Sequence, residues 1–235
     1  MSPTSCSTSE RIGALDAWRG LACWCMLVYH LAFDLFRFGW LSWEQFDSVP
    51  MFLFERFIAW SFILCAGISC CLSRGNIRRG LICAAAGALV VAASYAVGAP
   101  IRFGILQFLS AGMLLYGLFG KWLRLPYRAA PVAYLALYAA AKWWTGSVTV
   151  RCRWLFWLGL RYEGFVSYDY FPLLPYIFLF LLGVWLGEWL PGRRGARLLS
   201  APMPAALTWT GRHTLLIYLV HQPVLYGACW LAARL

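Results

Sequence analysis

Seven apolar stretches, at about 20–38, 51–73, 80–97, 103–120, 127–144, 171–190 and 212–233, divide this chain, and each approaches the roughly 17–25 residues that a helix needs to cross the hydrocarbon core of a bilayer. No other feature constrains the fold as strongly. Inside lipid every backbone N–H and C=O must find a partner within the protein, so only helices and closed barrels span. The runs are continuous and do not alternate with a period of two, which selects helices over barrel strands. Punctuation falls between them at Gly75, at Gly98 with Pro100, at Pro126, and at Pro191 with Gly192. The expected fold class is therefore all-α, a polytopic transmembrane helical bundle of about seven spans.

Composition agrees. The chain is 62% hydrophobic and 12% charged, with a mean hydropathy of +0.67, whereas soluble domains sit nearer half apolar and a quarter charged. The opening "MSPTSCSTSE" is polar and low in complexity. It lacks the basic region, short apolar core and cleavage site of a signal peptide, so residues 1–10 are expected to be a disordered tail and 11–235 one membrane domain.

A net charge of +11 would point to nucleic acid in a soluble protein. Here the cations lie in short loops between spans, where Lys and Arg set topology and also attract anionic lipid heads; nucleic acid is not an expected partner. With the N-terminus inside, twelve of the 20 Lys and Arg lie on inner segments, among them Arg74, Arg78 and Arg79 in "LSRGNIRRG". This predicts a multi-pass protein of the plasma (inner) membrane with a cytoplasmic N-terminus and an outer C-terminus; an eighth span would move the C-terminus to the other side. The nine cysteines sit mostly inside apolar runs and form no CxxC pair, so they read as small hydrophobes, with no metal site and no disulfide framework. The long fifth connection carries an aromatic stretch, Trp154 to Tyr162 between Arg153 and Arg161, too short to cross and suited to the interface or to a re-entrant segment.

The chemistry-bearing residues are those that a span should not carry. His30 falls near the middle of the first span, at 1.5 Å of rise per residue from Gly20. Asp34, four residues on, shares its helix face. A carboxylate at that depth costs on the order of 3 kcal/mol, so it should face the bundle interior and have a partner. His30 is the nearest candidate, and a carboxylate beside an imidazole orients it and raises its basicity; the alternative is a buried pair that only locks packing. His221, followed by Gln222 and Pro223 in "GRHTLLIYLVHQPVLYG", reaches a similar depth in the last span. Pro223 is expected to kink that helix. His221 either lines a cavity or bonds to a neighbouring helix. Glu55, Arg56, Gln107 and Asp169 fall at comparable depth in the outer half, which suggests a polar cavity opening outward over His30 and His221; singly, each could instead be a side chain reaching for interfacial water. The Arg74, Arg78 and Arg79 loop could grip phosphates, or could serve topology alone. No Walker loop, GxSxG, HExxH or GxGxxG is present, which removes support from the hydrolase classes that use them. No internal repeat supports an inverted-repeat transporter.

At these residues the sequence resembles a known family. "RIGALDAWRGLACWCMLVYHLAFDL" is similar to the start of the heparan-alpha-glucosaminide N-acetyltransferase catalytic-domain family in its short bacterial form. "FILCAGISCCLSRGNIRRG", "IRFGILQFLSAGMLLYG", "YDYFPLLPYIFLFLLGVWLG" and "GRHTLLIYLVHQPVLYG" continue the likeness in order, over about residues 10 to 232. The pattern of Arg11, Asp16, Arg19-Gly20 and His30 also looks like the opening of the wider membrane acyltransferase superfamily. The resemblance implies a bilayer-embedded enzyme that moves an acetyl or other short acyl group from acyl-CoA, commonly acetyl-CoA, to an amine or hydroxyl of a sugar or glycoconjugate. The donor is a substrate and no resident cofactor is implied. His30, Asp34 and His221 are the catalytic candidates. Arg11, Asp16, Arg19, Arg56, Gln107, Asp169 and Gln222 are candidates for binding substrate, and Arg74, Arg78 and Arg79 for binding the CoA phosphates. The partners implied are the lipid bilayer, acyl-CoA and the acceptor, with a homo-oligomer compatible with them. The alternative function is a proton-coupled transporter or flippase of a small or lipid-linked solute; a further one is a non-catalytic membrane partner.

Overall fold

The structure, a computed structural model, describes residues 12–120, 122–125, 129–190 and 202–235. The tail call on residues 1–10 and the candidate Arg11 lie outside the described residues. The architecture is an all-α bundle. In chain order the helices are α1 (Gly13–Arg37), α2 (Trp43–Phe46), α3 (Val49–Leu72), α4 (Asn76–Ala96), α5 (Ile105–Phe119), α6 (Ala130–Ser147), α7 (Leu173–Trp189), α8 (Ala205–Arg212) and α9 (Thr214–Ala232), with a 3₁₀ turn at Arg153–Leu158. Seven of them coincide with the seven apolar stretches of the sequence. Among the described residues four helices, α1, α3, α4 and α9, are long and apolar enough to cross a membrane, and α5 and α7 are shorter apolar helices. The 3₁₀ turn occupies the aromatic connection, and α8, with 8 residues, is too short to cross.

Local chemistry sets the helix ends. Ser42 caps α2, accepting from the Gln45 N–H at 3.3 Å while Gln45 Oε1 accepts from the Ser42 N–H at 2.9 Å, a reciprocal box that satisfies two otherwise orphaned donors. Pro50 and Pro131 stand in the first turns of α3 and α6, where a missing N–H costs nothing. α9 runs through Pro223 without a break from Thr214 to Ala232. In α7, Leu174 departs from helical geometry (φ −92°, ψ 130°) before the regular helix begins.

Packing is led by α3 against α7, α1 against α8, and α4 against α5. Two of these contacts are backbone on backbone. A Cβ at Gly67 would overlap the Phe180 carbonyl, one at Gly183 the Leu64 carbonyl, one at Gly20 the Leu207 carbonyl, and one at Gly211 the Asp16 carbonyl. Lipid tails are as apolar as side chains, so membrane helices gain most by approaching closely at small residues. The main core lies between α3, α5 and α7 around Ile63, Phe108 and Phe180, each fully buried. A second cluster joins α1 to α3 through Cys23, Met26 and Phe62. Large apolar side chains such as Val49, Leu118 and Val132 are exposed on the outer surface, as expected of faces that meet lipid. Antiparallel neighbours give the bundle two ends: the starts of α1, α4 and α9 share one with the end of α3, and the starts of α3 and α7 share the other with the end of α6.

If these crossings set the helix spacing, Gly67→Ala and Gly183→Ala should each destabilise the detergent-solubilised protein by about 1–3 kcal/mol through overpacking. Gly227→Ala, whose added Cβ meets nothing within 4 Å, should leave stability unchanged or slightly raised; thermal unfolding of the three variants checks this.

Candidate active site

His30 and Asp34 both leave α1 toward the bundle, as their spacing requires, but they do not bond to each other. Asp34 is fully buried, and its Oδ1 accepts from Gln222 Nε2 on α9 at 2.9 Å. The expected His30–Asp34 pair is thereby replaced by a bond between helices: an amide on α9 offers the carboxylate an N–H, while His30 turns toward a cavity and toward His221. The two imidazole rings lie 4.8 Å apart between centroids, tilted by 59°. His221 is buried, and its Nδ1 is 2.7 Å from the Tyr218 carbonyl. A carbonyl can only accept, so Nδ1 carries the hydrogen, and in the neutral ring Nε2 keeps the lone pair. That Nε2, Asp34 Oδ2 and Gln222 Oε1 are buried without a protein partner. Unpaired buried acceptors are costly, and these three belong to adjacent side chains of α1 and α9.

His30 lines a cavity of about 560 Å³, with Tyr29, Glu55, Arg56, Lys142 and Asp169 among its walls. It opens at the end that holds the start of α3 and the end of α6. Arg56 reaches Tyr176 Oη with Nη1 at 2.6 Å and pairs with Glu55 through Nε at 2.9 Å. Lys142 lies over the Tyr176 ring at 5.8 Å. Asp169 Oδ2 accepts from the Ile105 N–H at 3.0 Å, a carboxylate at the N-terminus of α5, where partial positive charge favours an anion. Burial nevertheless pushes Asp169 up to about 6, against the opposing pull of that N–H. Gly104 has no side chain because a Cβ there would overlap Asp169. Gln107 is occupied: Oε1 accepts from the Gly104 N–H at 3.0 Å and Nε2 donates to the Gly87 carbonyl at 2.8 Å. It fastens α5 to α4 and does not line the cavity.

The other candidates sit at the opposite end. Asp16 accepts from Arg19 Nη1 through Oδ1 at 3.0 Å and from Arg212 Nε through Oδ2 at 3.3 Å. Arg19 Nη2 also donates to Ser69 Oγ at 2.8 Å, and Arg79 Nη1 to the Ser69 carbonyl at 3.3 Å. Arg19, Arg79 and Arg212 line a second cavity of about 310 Å³. Arg74 and Arg78 line a separate open cleft beside it, which meets that cavity at Ile82. The candidates therefore fall into two groups: Arg56 and Asp169 share a cavity with His30, whereas Asp16, Arg19 and the basic loop gather at the far end. Sequence reading missed Lys142, Tyr176 and Tyr218 as wall residues. For Tyr218 a signal existed, since it stands three residues before His221 on one helix face; for Lys142 only its charge near a span was visible.

The family model described as heparan-alpha-glucosaminide N-acetyltransferase, catalytic, matches residues 11–223. No curated protein and no solved structure matches the chain.

Two outcomes are expected. In a double-mutant cycle, Asp34→Ala and Gln222→Ala should couple by about 1 kcal/mol of unfolding free energy, the usual size of an interhelical bond in a membrane protein. For Asp169 the folded-state value lies above the ordinary 3.8, so the folded protein holds this proton more tightly. Stability from this group is full below about pH 4 and falls as pH rises through about 6. Thermal unfolding across that window should show the fall, and Asp169→Asn should flatten it.

Proposed function

The chain belongs to the heparan-alpha-glucosaminide N-acetyltransferase catalytic family, and from that premise we propose that it is a membrane acyltransferase taking an acetyl or short acyl group from acyl-CoA to a sugar amine or hydroxyl. One observation carries the reading: a histidine of α1 lines a cavity bordered by Glu55, Arg56, Lys142 and Asp169 and faces a second histidine whose Nδ1 is held by a carbonyl. His30 takes the proton from the acceptor N–H or O–H as that atom attacks the thioester carbonyl. The acceptor–acyl bond forms, the tetrahedral oxyanion collapses, and the C–S bond breaks. CoA leaves as a thiolate and takes the proton back from His30. In this reading Arg56, which lines the same cavity, donates to the oxyanion. His221 stands behind His30 and holds its orientation. Asp34 fastens α1 to α9 so that the two rings stay opposed.

The donor's phosphates lie along Arg74, Arg78 and Arg79, because guanidinium forks match phosphate oxygens. With the N-terminus cytoplasmic, that end faces the cytosolic acyl-CoA pool, and the His30 cavity opens to the other side, where the acceptor binds. The competing reading, a proton-coupled transporter or flippase, draws on one observation, the two cavities at opposite ends. It predicts pH-driven solute uptake into vesicles with no acyl-CoA requirement.

Acetyl-CoA should bind the purified protein in calorimetry, and joint replacement of Arg74, Arg78 and Arg79 by Gln should weaken that binding at least tenfold. With glucosamine and other amino sugars as acceptors, His30→Ala should lower chromatographically measured CoA release by about 10²–10⁴ while binding persists. Full activity in His30→Ala would refute the mechanism, and absence of acetyl-CoA binding by folded protein would refute the acyltransferase reading.

A further inference from the structure

The two cavities are back to back. The His30 cavity and the Arg79 cavity share three lining side chains, Phe62 from α3, Ile105 from the start of α5, and Tyr218 from α9. Phe62 and Ile105 are buried at 8% and 7% exposure. On one side of the three lie Glu55, Arg56 and Asp169; on the other lie Arg19, Arg79 and Arg212. Charged side chains thus stand on either side, and a phenylalanine, an isoleucine and a tyrosine stand where the cavities meet; a narrow, largely apolar constriction excludes water and ions until its side chains move. The septum is tied by its backbone to both polar features of the site. The Ile105 N–H donates to Asp169, and the Tyr218 carbonyl accepts from His221 Nδ1.

We propose that Phe62, Ile105 and Tyr218 form a gate across the bilayer that seals the donor cavity from the His30 cavity. For its chemistry the gate rests on the acyltransferase reading. A thioester that meets water beside a base is lost. Water oxygen bonds to the acyl carbon, the C–S bond breaks, and free acid and CoA thiol form with the water's protons shared between them. Apolar closure between the phosphate-binding end and His30 prevents this, and it also prevents protons from crossing the membrane through two joined cavities. Displacement of the gate brings the thioester carbonyl to His30. Phe62 and Ile105 act by exclusion and touch no proton in the reaction, so their truncation leaves the base intact and removes only the barrier.

The test uses full-length protein in proteoliposomes and has two readouts. The first needs no acyl-CoA: collapse of an imposed pH gradient, followed by an entrapped dye. Wild type should be tight, and Phe62→Ala and Ile105→Ala should each speed collapse at least fivefold. Phe57→Ala, on the exposed side of α3, should match wild type. The milder Ile105→Val, which keeps the fold, should give a smaller rise. The second readout is CoA released from acetyl-CoA without any acceptor. It should rise at least tenfold in Phe62→Ala and fall back when His30→Ala is added. Tight vesicles in both folded alanine variants would overturn the gate. Leak without any acetyl-CoA turnover in any variant would uphold the closed route and overturn the acyltransferase reading on which its chemistry rests.

Discussion

A carboxylate inside a membrane protein must find a donor, and much of this bundle is arranged around how Asp34 finds one. Its partner, Gln222, belongs to the last helix, 188 residues away in the chain. The bond draws α1 against α9, and with that the two imidazoles that each helix carries face each other. Had Asp34 bonded along its own helix to His30, α9 would have no polar reason to lie there, and His30 would have no freedom to face the cavity. The cost of leaving a buried charge unpaired thus acts as a positional device for the neighbouring histidines.

The same economy of polar contacts divides the molecule in two. At the end that holds the start of α1, Asp16 is shared by Arg19 and Arg212, and the Ser69 side chain and carbonyl take Arg19 and Arg79. This clamp holds α1, α3, α4 and α8 together while the cations still line a cavity. At the other end Glu55, Arg56, Lys142 and Asp169 border a larger one. Between them the packing is apolar, and the glycine crossings of α3 with α7 and α1 with α8 leave little room for the helices to slide. Under the acyltransferase function proposed above, this division would give donor and acceptor separate charged surfaces and keep the thioester from water.

Seven helices, their approximate limits and the membrane setting were legible in the sequence because lipid imposes one rule on every span: continuous apolar length with internal backbone bonding. His30, Asp34 and His221 stood out for the same reason, as polar groups at depths where polarity is costly. The choice of partners was not legible. Helical spacing places Asp34 on the face of His30, but it holds no information about the amide that α9 presents there. Gln107 has the depth of a cavity residue, yet its amide is spent on Gly87 and Gly104, which only the approach of α4 to α5 decides. Arg74, Arg78 and Arg79 read as one basic cluster, whereas Arg79 turns into the cavity it shares with Arg19 and Arg212, and Arg74 and Arg78 stay on the open cleft.

The sequence by itself determined that this chain is a set of apolar, membrane-suited helices, that a few ionisable groups fall inside them, and which family it resembles. These follow from local quantities, hydropathy and spacing along one chain. The tertiary structure alone decided that Gln222 rather than His30 pairs with Asp34, that His30 meets His221, and that Phe62, Ile105 and Tyr218 stand between two cavities. Each of those depends on how far apart and at what rotation helices distant in sequence come to rest. In a bilayer that is set by close packing at glycines and by a handful of cross-helix polar bonds, neither of which leaves a periodic trace in the chain.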